Sequence, residues 1–342
     1  MKTILINKIG FIALCIIALT GCEKRFGEGV KLKDIEVDPI VRVIIDETSR
    51  AKAYPVPWDC TDYTFTWTSS DTDIATVDDF GRVTANAFGD CNITVSSGSV
   101  SKQIKVDVYD PPLSERLSAF GVKYLFEFED ANNLFKPSIG ANSLEPIGSG
   151  FKQVEGFNSD KKALYVPTSD RNDAGEWINH FFLNHGFSAN GGGDLVNQFT
   201  IMMDIYVQAG GGDRAIINSK FYPTSKIAWA DAGLYIRNDG RFGINGAESP
   251  SNLVLRDNWY RLVICVDFGN VIKNFRDGSL YATTAVGSTD WDGRAWPLDG
   301  IVLFTDAANR NNVNEVTIAN LAIWDRCLLD SEVASLGRMR KD

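Results

Sequence analysis

Histidine is nearly absent from this 342-residue chain: His180 and His185 are the whole supply. Chemistry that needs three imidazoles, such as a three-histidine zinc centre, is excluded. Excess positive charge is also missing. Lys and Arg total 34 against 44 Asp and Glu, a net charge of −10, so the basic surface that nucleic acid requires is lacking. None of the six cysteines stands in a Cys-x-x-Cys pair, which leaves no zinc ligand spacing. There is no Gly-x-Ser-x-Gly elbow to present a serine nucleophile. The glycine runs Gly191–Gly193 and Gly210–Gly212 lack a following Lys-Ser/Thr, so they read as tight turns rather than phosphate loops. What is present is ordinary globular material, 44% hydrophobic and 23% charged, in a length that suits about two domains.

The first thirty residues carry an address. Lys2 and Lys8 precede an apolar stretch from Ile9 to Leu19, and Leu19-Thr20-Gly21-Cys22 follows. Basic, apolar and small residues in that order mark a secretory signal peptide. The stretch is shorter than the roughly 20 residues that span a bilayer. Small residues ending on a cysteine resemble the lipobox of bacterial lipoproteins. That resemblance implies removal of residues 1–21 and acylation of Cys22, each buried CH₂ contributing about 0.8 kcal/mol to the anchor. Residues 22–30 then form a tether. Glu23, rather than Asp, after the cysteine resembles an outer-membrane sorting signal of a Gram-negative cell, with the protein facing the surface or the periplasm.

An exported chain is allowed disulfides. Cys60 and Cys91 fall in one small β region, and a bridge between them would close a loop of about 31 residues, stabilising by roughly 3–4 kcal/mol. Cys265 lies in an apolar strand and Cys327 near the C-terminus; pairing and buried free thiols both remain open for them.

Residues 31–108 show short runs of period two: Val41, Val43 and Ile45; Phe65 and Trp67; Ile104, Val106 and Val108. About 80 residues with this spacing predict a small β-sandwich. The order Thr66-Trp67-Thr68-Ser69-Ser70-Asp71, Ile74-Ala75-Thr76-Val77-Asp78, Gly81-Arg82-Val83-Thr84-Ala85, Gly89 and Ile93-Thr94-Val95 resembles the bacterial Ig-like domain, group 2. Trp67, Ile74, Val77 and Val83 would fill its core, and Gly81 and Gly89 would serve turns at positive φ. The resemblance implies a spacer or adhesion module. Residues 109–118, opening Tyr109-Asp110-Pro111-Pro112, read as a stiff linker.

Residues 119–342 are predicted to be all-β. Phe199, Ile201, Met203, Ile205 and Val207 share one strand face, as do Tyr260, Leu262, Ile264, Val266 and Phe268, the mark of sheets with one well-buried side. One helix is expected near Ser331–Leu336, capped by Asp330 and stopped by Gly337. Many strands and little helix mean a two-sheet sandwich or jelly roll. Tyr124-Leu125-Phe126-Glu127-Phe128-Glu129-Asp130, His185-Gly186 with Ala189-Asn190-Gly191-Gly192-Gly193, Asn258-Trp259-Tyr260-Arg261, and Ile318 to Arg326 with Leu328, Glu332, Val333 and Leu336 together resemble a laminin G-like, concanavalin A-type lectin/glucanase domain. That fold hosts lectins, hydrolases and inert modules alike.

Glucanases of this fold resemble Glu-x-Asp-x-x-Glu on one strand, and no such run occurs. The nearest acids are Glu127 and Glu129, which would share a face as solvated residues. His185 is expected to fix its glycine-rich loop by hydrogen bonds. No cofactor is expected other than the calcium ion that domains of the resembled family often hold in loop oxygens, for which Asp130, Asn132 and Asn133 or Asp306, Asn309 and Asn312 are the candidates. A sugar needs a flat aromatic face beside hydroxyl-binding polar groups. Trp291 and Trp296, with Asp290, Asp292 and Arg294 in one polar loop, and Trp229 beside Asp231 supply that combination, whereas Trp259 and Trp324 read as core. The sequence thus points to a non-catalytic, membrane-anchored protein that binds carbohydrate, alongside other surface proteins of a glycan-uptake system. A protein-binding or adhesion module is the alternative, and a glycoside hydrolase ranks below both.

Overall fold

The computed structural model describes residues 29–171, 173, 177–210, 212–228, 233–268, 270–285, 295–305 and 315–339. Two compact units divide between Pro112 and Leu113.

The first unit is a β-sandwich. One sheet has four strands in the order Ile40–Ile44, Val100–Tyr109, Gly89–Ser97, Thr66–Ser69, the first pair parallel and the rest antiparallel. The other sets Thr48–Arg50 and Ala75–Val77 on either side of Arg82–Ala85. Asp34–Val37 and Ala53–Val56 form a separate ribbon. Alternation in the sequence becomes alternation in burial: Val41, Val43, Ile93, Ile104 and Val106 face the core with Val83, while Trp67, Ile74 and Val77 pack against its rim. Gly81 sits at φ 77°, where a Cβ would lie 2.7 Å from the Ala51 carbonyl oxygen, so the turn requires glycine there. The expected Cys60–Cys91 bridge does not form; both are buried free thiols. Cys91 points into the core from Gly89–Ser97. Cys60 closes a turn, its N–H donating to Pro57 O at 3.0 Å, and is not part of that core.

The second unit is two packed sheets. The first has the path Lys152–Glu155, Lys162–Val166, Val316–Trp324, Gln198–Val207, Asn258–Asp267, Val271–Arg276, Ser279–Ala285, with Tyr124–Phe126 also on Val316–Trp324. The second runs Glu145–Ile147, His180–Leu183, Ile301–Leu303, Arg214–Asn218, Leu234–Ile236, Phe242–Ile244, Ala247–Glu248. Between them lie Phe199, Ile201, Met203, Ile205 and Val207, as the period of two requires, with Leu262, Ile264 and Val266 from the next strand.

The opposite face of Gln198–Val207 is buried as well, which periodicity did not indicate. Thr200, Met202 and Asp204 have no solvent exposure. Two short helices cover this face: α1 (Leu113–Ser118) and α2 (Asp330–Leu336). Leu117, Val333 and Leu336 pack there with Met202, Val263 and Trp324. Half of the expected linker is therefore helix, and Tyr109 completes the last strand of the first unit. Gly337 does end α2, but its start lies one residue earlier than expected: Leu329 is the cap, its N–H donating to the Glu332 carboxylate at 2.8 Å, and Asp330 pairs with Lys273 instead. Among the described residues no helix is long and apolar enough to cross a membrane.

Candidate functional site

The hairpin Leu234–Ile236/Phe242–Ile244 builds a polar cleft of about 560 Å³. Its buried residues Leu234, Ile236, Phe242 and Ile244 join the core, which leaves the turn and the flanking Ala247–Glu248 strand to present charge. The turn is closed by Arg237 N–H donating to Arg241 O at 2.7 Å and Gly240 N–H to Arg237 O at 3.0 Å. Gly240 stands at φ 81°, and a Cβ there would meet Val254 O at 2.8 Å.

Arg237 is the hub. Its guanidinium lies 4.0 Å over the Tyr235 ring and donates to Asp213 at 2.8 Å, to Glu248 at 3.2 Å and to the Asn245 side-chain oxygen. Burial opposes its charge, but the Asp213 and Glu248 carboxylates more than offset that, and its pKa rises above the ordinary arginine value. Arg241 is more open; it reaches Asp239 at 2.8 Å and Glu248 at 3.6 Å. Three carboxylates and two guanidinium groups nearly cancel, so the cleft favours neither a strong anion nor a strong cation. Fixed donors and acceptors on a rigid hairpin suit a neutral, hydroxyl-rich ligand.

Sequence reasoning missed this cluster. Asn238-Asp239-Gly240 between the apolar pairs Leu234/Ile236 and Phe242/Ile244 was the available signal for a hairpin, and charged residues flank it on both sides. Of the residues singled out instead, Trp229, Asp290, Trp291, Asp292, Arg294, Asp306, Asn309, Asn312 and Cys22 lie outside the described residues. Trp296 is described, and it is not a sugar platform. It has no exposure and stacks on Phe199 at 3.9 Å, because the Val196–Trp296 bridge carries it into the sandwich. Trp324 is core as expected, whereas Trp259 is half-buried against Tyr206 and Phe157.

The calcium candidates Asp130, Asn132 and Asn133 satisfy one another. Asp130 caps the turn Ala131–Asn133, accepting from Asn132 N–H at 2.9 Å and from the Asn133 amide at 2.7 Å, and those bonds hold its pKa below the usual range. Among the described residues no group of three or more His, Cys, Asp or Glu could hold a metal ion. The acid pair Glu127 and Glu129 does not share a regular strand face. The strand ends at Phe126, Phe128 has φ 56°, and Glu129 is engaged by Lys161 at 3.3 Å and the Lys162 N–H.

His185 holds its loop. Its Nε2 donates to Pro297 O at 3.0 Å and its Nδ1 accepts from Phe187 N–H at 3.0 Å, which fixes a neutral ring. Burial pushes its pKa down to about 4. The unfolded chain therefore takes up this proton first as pH falls. The associated stability, roughly 2–4 kcal/mol, is full above the ordinary histidine value and is lost between about 6.5 and about 4. His180, also lowered by burial, acts in the same direction. Urea midpoints measured across that range should fall in the native chain and fall less in His185→Gln; identical slopes would refute the assignment.

The first unit has a cleft of its own, about 650 Å³, lined by Tyr54, Tyr63, Phe65, Trp67 and Phe80 with Arg50, Lys52 and Asp79 at its rim. Phe80 is 76% exposed, an unusual setting for a phenylalanine without a partner.

No curated protein matches the chain. Among solved structures it is similar to domains 4 and 5 of the S-layer protein SbsC, at 26% identity over 24% of this chain and 53% of that one, TM-score 0.22. It is similar to the botulinum neurotoxin serotype D ligand binding domain in complex with N-acetylneuraminic acid, at 14% identity over 63% of this chain and 50% of that one, TM-score 0.42. It is also similar to the Ruminococcus gnavus IT-sialidase CBM40 bound to α2,3-sialyllactose, at 18% identity over 41% of this chain and 83% of that one, TM-score 0.33. The chain spans about half the length of the first two. The all-β fold of the larger unit stands on its own two sheets, and the family model of the bacterial Ig-like domain (group 2) matches residues 32–108, which assigns the first unit to that family.

Proposed function

We propose that the protein is an exported, lipid-anchored and non-catalytic glycan-binding protein of the outer membrane. Cys22 carries the anchor, the Ig-like unit is a spacer, and the larger unit, of the concanavalin A-like type, takes the sugar. The observation that carries this reading is the charge-balanced cleft of Asp213, Arg237, Arg241, Asn245 and Glu248 on a rigid hairpin. Its amide, carboxylate and guanidinium groups are those that bind hydroxyls in pairs.

A glycan array probed with residues 23–342 tests this. The native chain binds a defined glycan set. Arg241→Ala, which removes an exposed side chain and spares the core, weakens binding about tenfold or more. Failure to bind any glycan of a broad array overturns the reading. A parallel array with chelator tests calcium through the loop of Asp306, Asn309 and Asn312.

A second reading, adhesion to a protein through the Ig-like unit, is favoured by the exposed aromatic cleft at Tyr54 and Phe80. It requires that Phe80→Ser, and not Arg241→Ala, abolish cell-surface or partner binding.

A further inference from the structure

Cys265 and Cys327 meet on the outer face of the first sheet of the larger unit. Cys265 lies on Asn258–Asp267, opposite Thr200 on one side and Lys273 on the other. Its side chain belongs to the cluster of Met202, Val263, Trp324 and Leu328, away from the sandwich core. Cys327 follows the strand Val316–Trp324, whose Trp324 pairs with the same Thr200. The Thr200 hydroxyl donates to Arg326 O at 2.8 Å and accepts from Leu328 N–H at 3.0 Å. The residues on both sides of Cys327 are thus pinned above Thr200, the cross-strand neighbour of Cys265, and Cys327 packs against the same cluster as Cys265. Cys265 is fully buried, Cys327 is half-buried, and both are free thiols in this structure.

We propose that Cys265 and Cys327 are an oxidisable dithiol whose disulfide latches the C-terminal segment, with α2, onto the sheet. Cys327 is the attacking sulfur, because it alone of the two reaches solvent. The adjoining Cys265 thiol holds its pKa below the ordinary thiol value, Lys273 acting in the same direction, whereas Cys327 and burial raise Cys265 well above it. The oxidant is a disulfide RSSR, small or protein-borne. The Cys327 thiolate attacks one sulfur, forming Cys327–S–S–R and expelling RS⁻. Cys265, losing its proton, then attacks Cys327 Sγ and expels the second RS⁻. Two thiols lose two electrons and two protons, and RSSR becomes two RSH. Cys60 and Cys91, each without such a neighbouring thiol, stay reduced. The inference does not rest on the glycan reading.

The test treats the folded full chain with glutathione disulfide, then unfolds it in iodoacetamide and maps its peptides. The native chain gives a linked Cys265–Cys327 peptide, with Cys60 and Cys91 alkylated. Cys265→Ser, lacking the resolving thiol, stops at a glutathione adduct on Cys327. The oxidised native chain melts about 5–10 °C above the reduced one. Alkylation of both Cys265 and Cys327 in the treated native chain overturns the proposal, whatever the variant's folding. Equal melting temperatures of linked and reduced chains overturn the latch.

Discussion

Asp204→Ala destabilises the larger unit by about 3–5 kcal/mol. Asp204 has no exposure and Arg261 only 4%. The two are bidentate, Arg261 Nε and Nη2 each donating to a carboxylate oxygen at 2.7 Å, and the Asn320 amide adds a third bond at 2.7 Å. A register shift between Gln198–Val207 and Val316–Trp324 falls directly after the Asp204–Asn320 pair. Arg261 Nη1 donates to Leu336 O at 2.7 Å, which ties the last turn of α2 to the sheet. Removing the carboxylate takes from a buried guanidinium the anion that balances its charge, and that loss of compensation, rather than the lost attraction, sets the size of the effect. Asp204→Leu combined with Arg261→Met should recover most of the loss. Urea denaturation of the three variants measures this; a cost under 1 kcal/mol for Asp204→Ala would show that solvent reaches the pair.

Trp296→Ala costs a similar amount, about 3–5 kcal/mol. The indole contacts Phe199 face to face and lies within 6.5 Å, centroid to centroid, of Phe187 and His185 as well, so its removal opens a cavity where the His185 loop meets the core. Trp296→Phe keeps the stacking and removes an indole N–H that has no acceptor, and should cost less than half as much. Both variants, where folded, should retain glycan binding, since Trp296 is sealed inside. Selective loss of binding with unchanged stability would return Trp296 to the sugar site.

These two positions show where sequence reasoning reached and where it stopped. Period two found the inner faces of Gln198–Val207 and Asn258–Asp267 because one alternating face must be apolar. The other face, with Thr200 and Asp204, points away from the sandwich core, and alternation has no means of showing that α1 and α2 cover it. Covering helices are tertiary facts, set by contacts over 200 residues apart such as Arg116 to Ser335. Trp296 misled for a related reason: its neighbours are polar, but a single bridge to Val196 turns its side chain inward. Gly81 and Gly89 were legible because positive φ is a local property. The cleft at Arg237 was not, since it assembles residues from Asp213 to Glu248 across separate strands.

Hydrogen–deuterium exchange of residues 23–342, with and without a glycan that binds them, tests the central claim most directly. The account predicts protection concentrated in the Leu234–Ile244 hairpin and at Ala247–Glu248. Protection confined to the segments around Tyr54 and Phe80 would contradict it and make the Ig-like unit the binding module.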